Sequence, residues 1–143
     1  MWHGRLVKEK GVLDIIKVAR IVTRYYPAAR FVLVGEGPLK KKLIKLIHIY
    51  SLRKNVFLLG RVPYDKIPLL LPKASIYIFP SYMEGMPYAL LEAMACGLPI
   101  IAYDIPQIRE TTRGECILVK KGDVKALAEA ILLLLKNEEL RKK

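Results

Sequence analysis

Apolar positions at Val12, Ile15, Ile16, Ala19 and Val22 follow a helical period, which predicts a helix over 12–26, ended by Pro27. The pattern then changes. RFVLVG (30–35) is apolar without a polar alternate, rich in β-branched residues and closed by the turn EGP, as in a strand buried on both faces. Pro38 suits the first turn of a second helix, predicted to run through 52. NVFLLG (55–60) predicts a strand, and 64–74 a short helix interrupted by Pro68 and Pro72. SIYIFPS (75–81) predicts a further strand, followed by a helix over 88–96 that stops at Gly97. PIIAY (99–103) and CILV (116–119) read as strands, 106–112 as a short helix, and 123–136 as a helix opened by Asp123.

This alternation of doubly apolar strands and helices predicts an α/β fold: one Rossmann-like parallel sheet with helices on both faces. Ligands of such sheets sit beyond the carboxyl ends of the strands. That singles out Gly35-Glu36-Gly37, Gly60-Arg61-Val62, and the stretch from Pro80 to Pro87. There is no internal repeat, low-complexity run or dividing linker, so residues 1–143 are expected to form one domain.

Composition narrows the class. With 53% hydrophobic and 27% charged residues the chain is globular rather than disordered. No apolar run approaches the ~18 residues of a membrane span. The start, MWHGRLVKEKG, has no apolar signal-peptide core, and Cys96 and Cys116 lack metal-type spacing. A cytoplasmic protein with two reduced, buried cysteines is expected. The formal charge of +12 suits an anionic partner, and equally a Lys-rich, heat-adapted surface, since the chain carries one Gln and two Asn. No nucleic-acid-binding motif is present. Over 38–54, Lys40, Lys41, Lys42, Lys45, Arg53 and Lys54 flank an apolar stripe, which offers an anionic membrane surface, on the inner face, as a second partner. An apolar stripe in an α/β fold normally faces the sheet, and that reading is preferred.

The candidate chemistry lies in SYMEGMPYALLEAMACGLPII, 81–101. Glu84 falls on the turn after a strand and Glu92 about one turn into the next helix. Between them, the backbone around Gly85 to Tyr88 lies near a helix N-terminus, where free N–H groups and the helix dipole suit a phosphate. Carboxylates accept hydrogen bonds from sugar hydroxyls. A nucleoside diphosphate carrying a sugar satisfies all of these features. Gly35-x-Gly37 is followed by Pro38-Leu39-Lys40 and lacks the third glycine of a dinucleotide oxidoreductase. His3 and His48 are read as incidental, and Tyr25, Tyr26 and Tyr50 as packing residues.

S-x-x-E-G-M-P-x-A-L-L-E-A-M-A-C-G-L-P-I-I resembles the signature of the retaining GT-B glycosyltransferases of family four, with its E-x7-E pair at Glu84 and Glu92. GRLVKEKG (4–11), VLVGEGP (32–38), the stretch 55–81 and GDVKALAEAILLLL (122–135) are similar to further family segments, in order along essentially the whole chain. The resemblance implies that Arg5 and Lys10 bind the donor diphosphate and that Glu92 holds the ribose. It implies that Glu84 contacts the donor sugar near the reacting centre, with the backbone of Gly85, Met86 and Pro87 beside it. Gly35 and Gly37 form a turn near the donor, Arg61 and Val62 border the nucleobase, and no metal or cofactor is implied. Two carboxylates also suit glycoside hydrolysis, but Arg5 and Lys10 have no use there.

The resemblance is to the C-terminal, donor-binding half of a GT-B enzyme. The acceptor half is expected on other sequence or another chain, and this chain alone is expected to be inactive. A non-catalytic nucleotide-binding or membrane-surface module is the alternative. Only Met1, Trp2 and His3 precede Gly4, so the first strand is expected to be clipped; the end at Lys143 leaves little room for a returning helix. Gln107 stands where many family members carry Glu.

Overall fold

The computed structural model describes residues 1–141; the expectation attached to Lys143 lies outside them. Six strands alternate with helices: β1 (Trp2–His3), β2 (Phe31–Val34), β3 (Val56–Gly60), β4 (Tyr77–Phe79), β5 (Ile100–Tyr103) and β6 (Ile117–Val119). The helices are α1 (Val12–Tyr25), α2 (Lys40–Ile49), α3 (Ile67–Leu70), α4 (Tyr88–Ala95), α5 (Pro106–Thr112), α6 (Val124–Lys136) and α7 (Glu138–Arg141). Short 3-10 turns at Lys8–Lys10, Tyr64–Lys66 and Leu71–Lys73 complete the path, the last two flanking α3 where Pro68 and Pro72 interrupt the helix. α2 is shorter at both ends than expected. Leu39 is its N-cap, and left-handed Ser51 ends it. Asp123 caps α6 as expected, accepting from Ala126 N–H at 2.9 Å.

The strands are all parallel, as the Rossmann-like reading expects, and pair in two three-stranded groups, β1-β2-β3 and β4-β5-β6. The cause is β1, whose two residues carry too short a ladder to pair fully on both sides. The sheets nonetheless abut there. Ile78 N–H donates to Met1 O at 3.0 Å, and the Met1 amino group donates to Ile76 O at 2.7 Å. Across this seam the order runs β3-β2-β1-β4-β5-β6, the doubly wound arrangement whose switch point lies between β1 and β4.

β1 is well anchored despite its two residues. Trp2 is fully buried, and Trp2 and His3 pair with Leu33 and Val34. Helices cover both faces; α1 packs against α6 and α2, and its Ile15, Ile16, Val18 and Val22 are all buried. Cys96 and Cys116 are free and half-buried rather than buried. Tyr25 is a correction: at 64% exposure it packs against little. Tyr26 and Tyr50 do pack on the core, and the Arg20 guanidinium lies 3.8 Å from the Tyr50 ring centroid.

Candidate functional site

Three loops converge at the carboxyl ends of β1, β2 and β4, and they approach so closely that side chains are excluded. A Cβ on Gly35 would stand 1.7 Å from Gly4 O, and one on Gly37 2.5 Å from Leu6 O. The backbone ties the loops together: Gly4 N–H donates to Val34 O, Leu6 N–H to Glu36 O, and Tyr82 N–H to Glu9 O, at 2.9, 2.9 and 2.8 Å. Gly35 and Gly37 therefore fix the frame rather than present side chains to a ligand.

The frame brings two distant segments into contact. Lys10 Nζ donates to Glu84 Oε2 at 2.6 Å, across 74 positions of sequence, and Ser81 Oγ donates to the same oxygen at 2.8 Å. The Glu84 side chain is 3% exposed and that of Lys10 30%. This is a charge-assisted pair with its cation turned partly to solvent. Both contacts fall on Oε2; among the described residues Oε1 makes none. Arg5 is exposed at the end of β1 and, among the described residues, forms no ion pair. The amides of Gly85 and Met86, which precede α4, donate to no backbone carbonyl of the described residues. Gly85 and Met86 are exposed and Pro87 is buried.

Glu92, one turn into α4, turns back toward β1. Its Oε1 lies 3.6 Å from His3 Nε2, with the Glu92 side chain 24% exposed. On its other side the His3 ring meets the Tyr77 hydroxyl, 2.9 Å from Nδ1. Burial holds the His3 imidazole below its usual range, against the pull of Glu92, and burial pushes the Tyr77 hydroxyl up. His3 was read as incidental; its placement beside Glu92 corrects that reading. No local pattern reveals it, because the contact depends on α4 folding back over the end of β1.

Beneath the Glu84 loop lies a second polar group. Asp14 Oδ2 accepts from the Tyr82 and Tyr103 hydroxyls, the latter at 2.7 Å, and the two rings meet edge to face. Burial, then the bond to Asp14, pushes Tyr82 up to about 12. A cavity of about 510 Å3 opens beside it, among Lys8, Glu9, Asp14, Lys17 and Tyr82. The larger cavity, about 640 Å3, lies among Met1, Phe31 and Ile76 at the opposite, amino-terminal ends of the strands. Asp14 was missed, although a signal existed: it shares the 4-residue stripe of Val18 and Val22, which are buried.

Arg61 and Val62 follow β3 at the same edge, two strands from β1, and touch neither glutamate through a hydrogen bond or ion pair. In α2, Leu43 and Ile47 are buried, so the apolar stripe does face the core. Ile44 and Ile49 remain exposed among the lysines.

This architecture is shared with solved glycosyltransferase structures. A TarM variant of S. aureus, solved with fondaparinux, α-GlcNAc-glycerol and UDP, superposes with a TM-score of 0.91 at 28% identity, covering 98% of this chain and 29% of that one. The C-terminal domain of a glycosyl transferase group 1 family protein from Francisella tularensis matches in fold, with a TM-score of 0.85 at 24% identity, over 99% of this chain and 77% of that one. The fold is that of GT-B glycosyltransferases. The 2-deoxystreptamine N-acetyl-D-glucosaminyltransferase of Streptomyces fradiae is 31% identical over 133 residues, 90% of this chain and 32% of the relative. The family model of glycosyl transferases group 1 matches residues 2–143, and the chain belongs to that family. It spans about a third of the length of the curated relatives it matches.

Proposed function

We propose that this chain is the donor-binding, C-terminal half of a retaining hexosyltransferase that uses a nucleoside diphosphate sugar. The observation that carries the reading is the 2.6 Å contact of Lys10 with Glu84, which joins the cationic segment after β1 to the carboxylate turn after β4 at the switch point of the sheet. In this reading Arg5, Lys10 and the amides of Gly85 and Met86 neutralise the diphosphate as it leaves. Glu92 holds the ribose, Glu84 orients the sugar through Oε1, and Arg61 and Val62 border the base. The acceptor hydroxyl enters on the face the diphosphate leaves. The acceptor site, for a glycan or a lipid-linked acceptor, is supplied by sequence outside these residues, and the chain alone does not turn over. A membrane-surface module ranks second, since α2 leaves only Ile44 and Ile49 of its apolar residues clearly exposed.

Calorimetric titration with UDP, GDP, ADP and their hexose conjugates tests this. One nucleotide is expected to bind at micromolar level, with a loss of about tenfold or more, ~1.4 kcal/mol, in both Arg5→Ala and Glu92→Ala. Equal affinity in Glu92→Ala, or turnover by the chain alone at an ordinary ~1–1000 per second, would refute it.

A further inference from the structure

The hydrogen bonding around His3 leaves one atom unaccounted for. The Tyr77 hydroxyl oxygen stands 3.4 Å from His3 N–H, which donates to it. Its single proton has two acceptors in reach, His3 Nδ1 at 2.9 Å and His3 O at 3.5 Å. The ring tautomer decides which of them takes it, and in the tautomer proposed below it goes to the nearer, Nδ1. An imidazole that accepts at Nδ1 carries its own proton on Nε2. That Nε2 is buried and has no hydrogen-bond partner; Glu92 Oε1, at 3.6 Å, lies just beyond hydrogen-bond distance. A buried donor without an acceptor is costly, so it is rarely left so without cause.

We propose that His3 is a positioning residue for Glu92: its Nε2–H closes on Oε1 when the donor binds, fixing the carboxylate so that Oε2 meets the ribose hydroxyls. The proposal rests on the reading of Glu92 as the ribose carboxylate. The geometry makes His3 the fixed partner. It belongs to β1, paired with Val34, is 8% exposed, and its ring is held edge-on to Tyr77 at 5.6 Å. Glu92 is the partner able to adjust, since α4 follows the exposed turn at Gly85 and Met86. A shift of a few tenths of an ångström completes the bond. The ionisable groups acting on His3 are Glu92 from α4, Tyr77 from β4 and the Met1 amino group just before β1.

Two measurements on the whole chain test this. The first needs no nucleotide: nitrogen-15 NMR of the His3 ring, titrated with pH in wild type and Glu92→Gln. The Nε2–H tautomer is expected, with the ring pKa falling when Glu92 loses its charge. The Nδ1–H tautomer, or a titration unchanged in Glu92→Gln, overturns the pairing.

The second is calorimetry with whichever of UDP, GDP or ADP the wild type binds. His3→Leu is expected to lower affinity about tenfold, the scale of one hydrogen bond to a charged group. His3→Gln, whose side-chain N–H reaches a similar place, stays within about threefold, with thermal midpoints of the two variants alike. His3→Leu adds nothing in a Glu92→Ala background. Equal losses in His3→Leu and His3→Gln, or an additive loss beside Glu92→Ala, overturn the positioning role. Failure of all three nucleotides to bind wild type, with the ring titration as expected, sinks the donor-site reading and leaves the His3–Glu92 pair standing.

Discussion

Gly11→Ala is expected to destabilise the fold by about 3 kcal/mol and to weaken nucleotide binding with it. Gly11 joins the Lys10 segment to α1 at φ +73, the left-handed region, where a residue with a Cβ costs roughly 1–2 kcal/mol. Conformation is the smaller part. An added Cβ would stand 1.8 Å from Pro80 O, a main-chain atom at the end of β4 that cannot swing aside. Either the start of α1 or the Pro80–Ser81 turn must move, and Lys10 and Glu84 sit on those two segments. Gly97 provides the control: φ is +70, but nothing lies within 4 Å of an added Cβ. Gly97→Ala should therefore show the conformational cost alone. Denaturant midpoints measure the difference. A loss of about 3 kcal/mol is a large fraction of the ~5–15 kcal/mol that holds a domain of this kind, or roughly 10 °C in thermal midpoint. Equal effects at Gly11 and Gly97 would show that the loops do not meet as described.

Lys10→Met carries the second large effect, and it falls on binding as well as on stability. The substitution keeps the length of the stem and removes the charge that meets Glu84. Glu84, 3% exposed, then keeps only the Ser81 hydroxyl. Breaking a buried ion pair costs about 3–5 kcal/mol, but Lys10 is 30% exposed and water screens part of this, so about 2 kcal/mol is expected. Diphosphate affinity should also fall, about 10–100-fold, because one cation is lost from the anion and Glu84 is left facing the sugar without its counter-charge. Lys10→Arg keeps the charge and should recover most of the stability and part of the affinity. Denaturation and calorimetry on the same three proteins separate the two effects. A Lys10→Met chain that binds nucleotide as wild type does would remove Lys10 from the site.

The α/β alternation was legible because parallel strands buried on both faces are apolar throughout and are punctuated by Gly and Pro. Pro27, Gly37-Pro38 and Gly97 all fall between elements of the fold. The division into two sheets was not legible. It depends on how two residues of β1 divide their hydrogen bonds between β2 and β4, which no local pattern records. α7, directly after Asn137, was missed as well; it buries nothing and so carries no apolar period. Lys10 and Glu84 were picked from separate motifs, and only the doubly wound order places them together. His3 and Asp14 show the opposite case. Both are polar residues set among apolar ones, and their partners, Tyr77 and Glu92 for one and Tyr82 and Tyr103 for the other, lie 68 or more positions away. The stripe Asp14 shares with Val18 and Val22 signals its burial, but no period records which distant polar groups either residue meets.

The most direct test is to record backbone amide NMR spectra of the chain while adding the nucleoside diphosphate that binds most tightly. If the crevice between β1 and β4 is the donor site, the largest shifts fall on residues 3–11 and 81–92, with His3, Gly85, Met86 and Glu92 among them. Shifts confined to α2, or scattered over the lysines without a centre, would contradict the account: they would mean that the positive charge of the chain, and not this crevice, binds the nucleotide.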